Sequence, residues 1–273
     1  MVQHRQVSSR LELEESCMVL RWPAVAVLML SAPLMAADWK LVWSDEFNGK
    51  GSPDAAKWTY EEGFIRNHEA QRYTTDPANA RMENGYLVIE ARKDGDKITS
   101  ASVTTEGKTA WTHARIEVRA KLPAGRGTWP AIWLLGVNHR QAGWPKCGEI
   151  DVMEHVGFDP GIIHANIHTA KYNHVKKTNK GDKITVDDPS GSFHVYAVEW
   201  SGDRMDFSVD HKTYFFYENE KSGTDAWPFD EPMYLILNVA IGGSWGGQKG
   251  VDDSIFPQKM EVDWVHVYKR AGE

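Results

Sequence analysis

From Ala114 to Leu122 the chain alternates: Ile116, Val118, Ala120 and Leu122 interleave with Arg115, Glu117, Arg119 and Lys121. A period of two puts the first set on one face and the second on the other, which predicts a strand with a core side and a water side. Gly85 to Ala91, a turn at Lys93-Asp94-Gly95-Asp96, and Ile98 to Val103 predict an antiparallel hairpin. Val195 to Trp200, Ser201-Gly202-Asp203 and Met205 to Val209 predict a second one. Tyr234 to Ile241 is an apolar run interrupted only by Asn238, the pattern of a strand covered on both sides. Short runs of this kind fill the chain from Trp39 onward, separated by Gly, Asp, Asn and Pro, and helical periodicity is scarce. The fold class is therefore all-β, a two-sheet sandwich. With no linker, internal repeat or low-complexity segment, residues 38–273 read as one domain.

The first 37 residues do not fit that pattern. Arg21 precedes an apolar run from Ala24 to Leu34, followed by the small residues of Met35-Ala36-Ala37, as in a secretory leader. The run is short for a membrane span. Glu12, Glu14 and Glu15 sit awkwardly in the positive part of a leader, so Met18 is the expected start and residues 1–17 an extension by mistaken start assignment. The mature chain is expected to be secreted or periplasmic, monomeric, and free of the membrane. A formal charge of -7 offers no basic excess for phosphates, which excludes nucleic acid as a partner, whereas a neutral polysaccharide needs no charge at all. Cys17 falls in the leader, which leaves Cys147 without an intrachain disulfide partner. It reads as a structural thiol, since no base adjoins it and carboxylates nearby would raise its pKa.

Candidate chemistry centres on Glu149-Ile150-Asp151-Val152-Met153-Glu154. On a strand, Glu149 and Asp151 share a face while Ile150 and Val152 pack behind them. Strict alternation would turn Glu154 away. One extra residue absorbed as a β-bulge at Val152-Met153 returns it to the acidic face. Three carboxylates facing one another hold at least one proton above the ordinary carboxyl range. That suits glycoside hydrolysis, which needs one ionised and one protonated carboxyl group. Alone, the pattern also describes a solvated acidic edge strand.

Trp129 and Trp133, four residues apart, share a strand face with the small Ala131 between them, and indole rings match the apolar C–H faces of sugars. Core packing is the other reading of each. Trp144 and Trp245 lie in or beside turns, and twelve tryptophans favour a carbohydrate cleft over a core alone. His164, Asn166 and His168 share a strand face. Their HxxxH spacing raises zinc, but no third ligand is offered locally, and His168 is expected to face the acidic strand. Asn67 to Thr74 is a loop rich in hydrogen-bonding groups, and Asn238, if buried, needs partners from the backbone or a substrate hydroxyl.

With Trp129-Pro130-Ala131-Ile132-Trp133 before the acidic strand and His164-Ala165-Asn166-Ile167-His168 after it, the chain resembles glycoside hydrolase family 16. The likeness is to the laminarinase-like β-glucanases, whose signature is E-[ILV]-D-x-x-E in the bulged form. It runs from Trp43-Ser44-Asp45-Glu46-Phe47 to Val262-Asp263-Trp264-Val265-His266-Val267-Tyr268. The resemblance implies a curved jelly-roll sandwich of concanavalin A-like type with an open cleft on its concave sheet. It implies endo-cleavage of β-1,3-glucan with retention, Glu149 as nucleophile, Glu154 as general acid/base, and Asp151 hydrogen-bonded to Glu149. Asn67 and Arg72 would hold sugar hydroxyls on the non-reducing side, and His168 would lie near the leaving group. A structural calcium is implied at Glu46, Gly85 and Asp263. Relatives acting on mixed-linkage glucan, agarose, carrageenan or xyloglucan, and non-catalytic β-glucan-binding proteins, are the alternatives. The three carboxylates speak against the last, the bulged spacing against xyloglucan, and the few basic residues in the loops against charged galactans.

Overall fold

The alternation of Arg115–Lys121 is realised as a strand whose apolar side, Ile116, Val118 and Ala120, is buried in the core. Its charged side forms ion pairs instead: Arg115 with Glu117, Arg119 with Asp263, and Lys121 with Glu261. The computed structural model describes residues 39–271, so the leader pattern lies outside the described residues. Two sheets, almost wholly antiparallel, make up the fold.

One sheet has ten strands, its central members being Arg204–Val209, His194–Trp200, Arg115–Lys121, Gln258–Arg270 and Tyr86–Asp94. The other has seven, in the spatial order Lys180–Thr185, Ile162–His168, Glu149–His155, Thr128–Gly136, Met233–Ile241, Ser102–Thr104 and Thr59–Glu61. Ile116 and Val118 from the first sheet meet Ile132, Leu134, Leu235 and Leu237 from the second in one core. All nine residues of Met233–Ile241 are buried, as its unbroken apolar run predicts. Leu235, Leu237, Val239 and Ile241 join the main core, while Tyr234 and Ile236 pack with Ala131 and Trp133 on the opposite face.

Two expectations about strands need adjustment. Lys93 and Asp94 extend the strand Tyr86–Asp94, leaving only Gly95-Asp96 as the turn, with Gly95 in the left-handed region at φ 56°. The segment Ile98 to Val103 is not one strand: Lys97–Ser100 pairs with Tyr86–Asp94, and after the buried Ala101, Ser102–Thr104 pairs with Met233–Ile241 in the other sheet. The small residues Ser100, Ala101 and Ser102 are all buried through the switch, and no Gly, Pro, Asn or Asp marks it as a turn.

Candidate active site

Register shifts on both sides of Glu149–His155 locate an extra residue at Val152-Met153. Asp151 lies opposite Asn166 and Glu154 opposite His164, so Val152 and Met153 together face the single Ala165. Both enter the core with Ile150. Glu149, Asp151 and Glu154 are thereby turned to the other face, where they line a cleft of about 770 Å³. Burying two consecutive apolar side chains drives the bulge, and the bulge re-aims Glu154.

Each outer carboxylate is held by an indole. Trp144 Nε1–H donates to Glu149 Oε2 at 2.9 Å, and Trp129 Nε1–H donates to Glu154 Oε1 at 3.0 Å. Asn166 Nδ2–H reaches Glu154 Oε2 at 3.4 Å. His168 Nε2 stands 3.3 Å from Asp151 Oδ2 and 3.6 Å from Glu149 Oε1. Burial raises all three carboxyl groups, each to about 8, and the charge of Asp151 adds to the effect at Glu149 and Glu154. The cluster therefore keeps protons at neutral pH, as acid catalysis by one member requires.

Trp129, Trp133, Trp144, His168, Asn238, Trp245 and Asn67 also line the cleft. Trp245 stands edge-on to Trp129 at 5.7 Å and to His164 at 4.9 Å. The tryptophans divide between tasks: these four line the cleft, while Trp58, Trp111, Trp200 and Trp227 are buried in the core. Asn238 is buried and satisfied by protein partners, accepting from Trp133 Nε1–H at 2.8 Å and donating to Tyr73 Oη at 3.0 Å. Through the first of these bonds it fixes the Trp133 indole from within the cleft wall. Cys147 is fully buried, and burial followed by the charge of Glu149 pushes its thiol up to about 11, consistent with a structural residue.

Arg72 does not line the cleft. It is exposed beside the buried Tyr73, because the short strand Arg72–Tyr73 turns the two side chains apart. Arg66 lines the cleft instead, paired with Glu61 and lying 4.8 Å over the Trp133 ring. Glu69 is a second residue that the loop composition did not single out. It is buried and accepts from Asn67 Nδ2 at 3.2 Å, Gln71 Nε2 at 2.7 Å and Tyr73 Oη at 3.1 Å. Burial holds its carboxyl above the ordinary value, against the pull of Arg66 and these donors. Asn67 and His68 both adopt left-handed backbone, φ 57° and 54°, a costly conformation away from glycine. Hydrogen bonds from Ser244 N to Asn67 O and from Ala70 N to Ile241 O pin the loop to the end of Met233–Ile241.

The calcium expectation meets a different arrangement. Glu46 is bonded to His266 at 2.7 Å and Asp263 is paired with Arg119, while Gly85 occupies the left-handed turn before Tyr86 at φ 83°. Strand register does bring the three positions alongside one another, with Asp45 opposite Val265 and Val262 opposite Leu87. As arranged, though, the two carboxylates serve protein partners and do not form an oxygen cage.

The model of the glycosyl hydrolases family 16 matches residues 67–266. A beta-glucanase of Rhodothermus marinus is 48% identical over 248 residues, covering 86% of each chain. The structure of the laminarinase from Rhodothermus marinus superposes with a TM-score of 0.83 at 47% identity, over 85% of this chain and 98% of that one. A mutant of a non-specific endo-beta-1,3(4)-glucanase, co-crystallised with 1,3-beta-D-cellotriosyl-glucose, gives a TM-score of 0.82 at 49% identity, over 86% and 96%. The signature strand, its bulge and the sandwich that carries it agree with these likenesses: the chain belongs to glycosyl hydrolases family 16.

Proposed function

We propose that this chain is a retaining endo-hydrolase of β-1,3-glucan. The observation that carries the reading is the bulge, which sends Val152 and Met153 together into the core and delivers Glu149, Asp151 and Glu154 to one cleft. Glu149, flanked by the Trp144 N–H and His168, acts as nucleophile through its Oε1. Glu154 protonates the departing glycosidic oxygen. The anomeric carbon–oxygen bond breaks as the ester to Glu149 forms, and the electron pair and proton leave with the new hydroxyl end. Esterification removes the charge of Glu149 and lowers the pKa of Glu154, which then takes a proton from the incoming water as its oxygen bonds the anomeric carbon and the ester bond breaks, returning the Glu149 carboxylate. Asp151 shares the face of Glu149, where its charge raises the Glu149 carboxyl, and His168 Nε2 stands 3.6 Å from Glu149 Oε1. Trp129, Trp133 and Trp245 offer ring faces and edges to the sugars.

Mixed-linkage β-1,3-1,4-glucan is the second reading, favoured by the likeness to the endo-beta-1,3(4)-glucanase. The leader pattern of residues 1–37 supports a secreted or periplasmic enzyme, and we take it to work as a monomer. A structural calcium at Glu46, Gly85 and Asp263 is supported by their neighbouring register alone, and would displace Arg119 and His266 from the two carboxylates. Proton NMR in the first minutes of laminarin digestion tests the central reading. The β-anomer is expected first; an initial α-anomer defeats the mechanism, and no product from laminarin defeats the linkage while a panel with lichenan and agarose finds the substrate.

A further inference from the structure

We propose that Glu149, Asp151 and His168 form a binding site for one divalent transition-metal ion, of which zinc fits best, and that its occupation excludes polysaccharide turnover. The ligand atoms of these three residues lie within 4.8 Å of one another. His168 Nε2 is 3.3 Å from Asp151 Oδ2 and 3.6 Å from Glu149 Oε1. A tetrahedral zinc ion with bonds of about 2.0–2.2 Å needs ligand atoms about 3.3–3.6 Å apart, so two of the three edges already have that length. The third edge, between the two carboxylates, is no longer than 4.8 Å.

The atoms concerned are also free. Trp144 N–H occupies Glu149 Oε2 and leaves Oε1. Asp151 is 4% exposed, yet its Oδ2 has no hydrogen-bond partner. A buried carboxylate oxygen with no donor is a group whose desolvation has not been offset, and a cation would offset it. His168 Nδ1 has no partner either, so the ring can carry its proton there and turn the Nε2 lone pair toward Asp151 and Glu149, where an ion would sit. Two oxygens and one imidazole suit zinc, copper(II) or cobalt(II); calcium requires six to eight oxygens and magnesium an octahedral oxygen shell. The fourth position opens to the cleft. The HxxxH spacing along one strand suggests His164 as co-ligand, but the partners of His168 come from across the strand pair. An ion on Glu149 Oε1 takes the electron pair that would attack the sugar, hence the exclusion. The ion binding stands on geometry alone; only the exclusion rests on the hydrolase reading.

The test is titration of the metal-free full chain with cobalt(II) near neutral pH, read by the visible absorption of four-coordinate cobalt, with zinc followed by calorimetry. One ion per chain is expected. His168→Gln and, separately, Asp151→Asn should each weaken binding about tenfold or more. A β-1,3-gluco-oligosaccharide should displace the ion from the unaltered protein, a readout that depends on no variant folding. Absence of binding at millimolar metal, binding unchanged in a folded variant, or an ion that stays while the oligosaccharide binds would each overturn the proposal. Full hydrolytic rate with zinc bound overturns the exclusion, whereas a chain that binds cobalt but cleaves no glucan refutes the hydrolase reading and not the site.

Discussion

Glu69→Gln isolates what the buried carboxylate of the Asn67–Tyr73 loop does. In the native site Asn67 donates its amide N–H to Glu69 Oε1, which leaves Asn67 Oδ1 as an acceptor on the cleft side. Gln71 and Tyr73 both donate to Oε2. A glutamine can keep those two bonds through its carbonyl oxygen, but its NH2 then meets the NH2 of Asn67. The Asn67 amide turns over, relieving the clash and presenting a donor to the sugar where an acceptor stood. Losing one hydrogen bond to a substrate hydroxyl costs about 0.5–1.5 kcal/mol, or about two- to tenfold in kcat/KM. The loss should fall on KM, since Glu69 makes no contact with the catalytic carboxylates. Fold stability should change little, within about 1 kcal/mol, because the lost charge-assisted bond is opposed by relief of a carboxylate that burial disfavours. Kinetics on laminarin beside a thermal melt measures both. The double change Glu69→Gln with Asn67→Asp restores the donor–acceptor order and should recover KM. An unchanged KM in the folded variant, or a fall confined to kcat, refutes the reasoning.

Four further outcomes follow from the geometry. Because burial raises the three cleft carboxyls, the native state holds those protons more tightly than the unfolded chain, so stability is lost as pH rises from the ordinary values of 3.8 and 4.5 through about 8; Glu149→Gln should abolish hydrolysis, raise the melting temperature near pH 7 and flatten its pH dependence. Trp144→Phe keeps a ring but removes the N–H on Glu149, so kcat should drop about tenfold, equivalent to roughly 1.5 kcal/mol for a bond to a charged group, while the melt stays put because Trp144 is exposed. Gly157→Ala would set a Cβ 1.8 Å from the carbonyl oxygen of Gly125, and denaturant titration should show a loss of about 1–3 kcal/mol or more. If calcium binds at Glu46, Gly85 and Asp263, chelation lowers the melting temperature and leaves the activity–pH profile alone; a melt independent of calcium removes that site.

Strand faces were readable from the chain because burial imposes a period of two, and the bulge was readable because Val152 and Met153 break that period between acids. Loop side chains carry no such constraint. Arg66 and Arg72 are equally basic members of one polar stretch, and only the turn through Asn67 and His68 decides which enters the cleft. The burial of Tyr73, and of Glu69 bonded to it, had no local signal, because the Asn238 amide that bonds Tyr73 lies 165 positions further along. Asn238 itself signalled the need for partners as a lone amide in an apolar strand, but not that these would be Trp133 and Tyr73. The sheet switch at Ala101 left no trace, since Ser100, Ala101 and Ser102 are small, buried and free of turn residues.

Glu149 and Glu154 ride on one uninterrupted strand, so the spacing of the reactive pair is written in covalent bonds and a single bulge, not in how two separate elements happen to dock. Lengthening or shortening any loop cannot alter it. Descendants of such a chain are therefore free to rebuild the Asn67 loop and the Trp245 turn, exploring new polymers by insertion and deletion, without changing the spacing of the reactive pair.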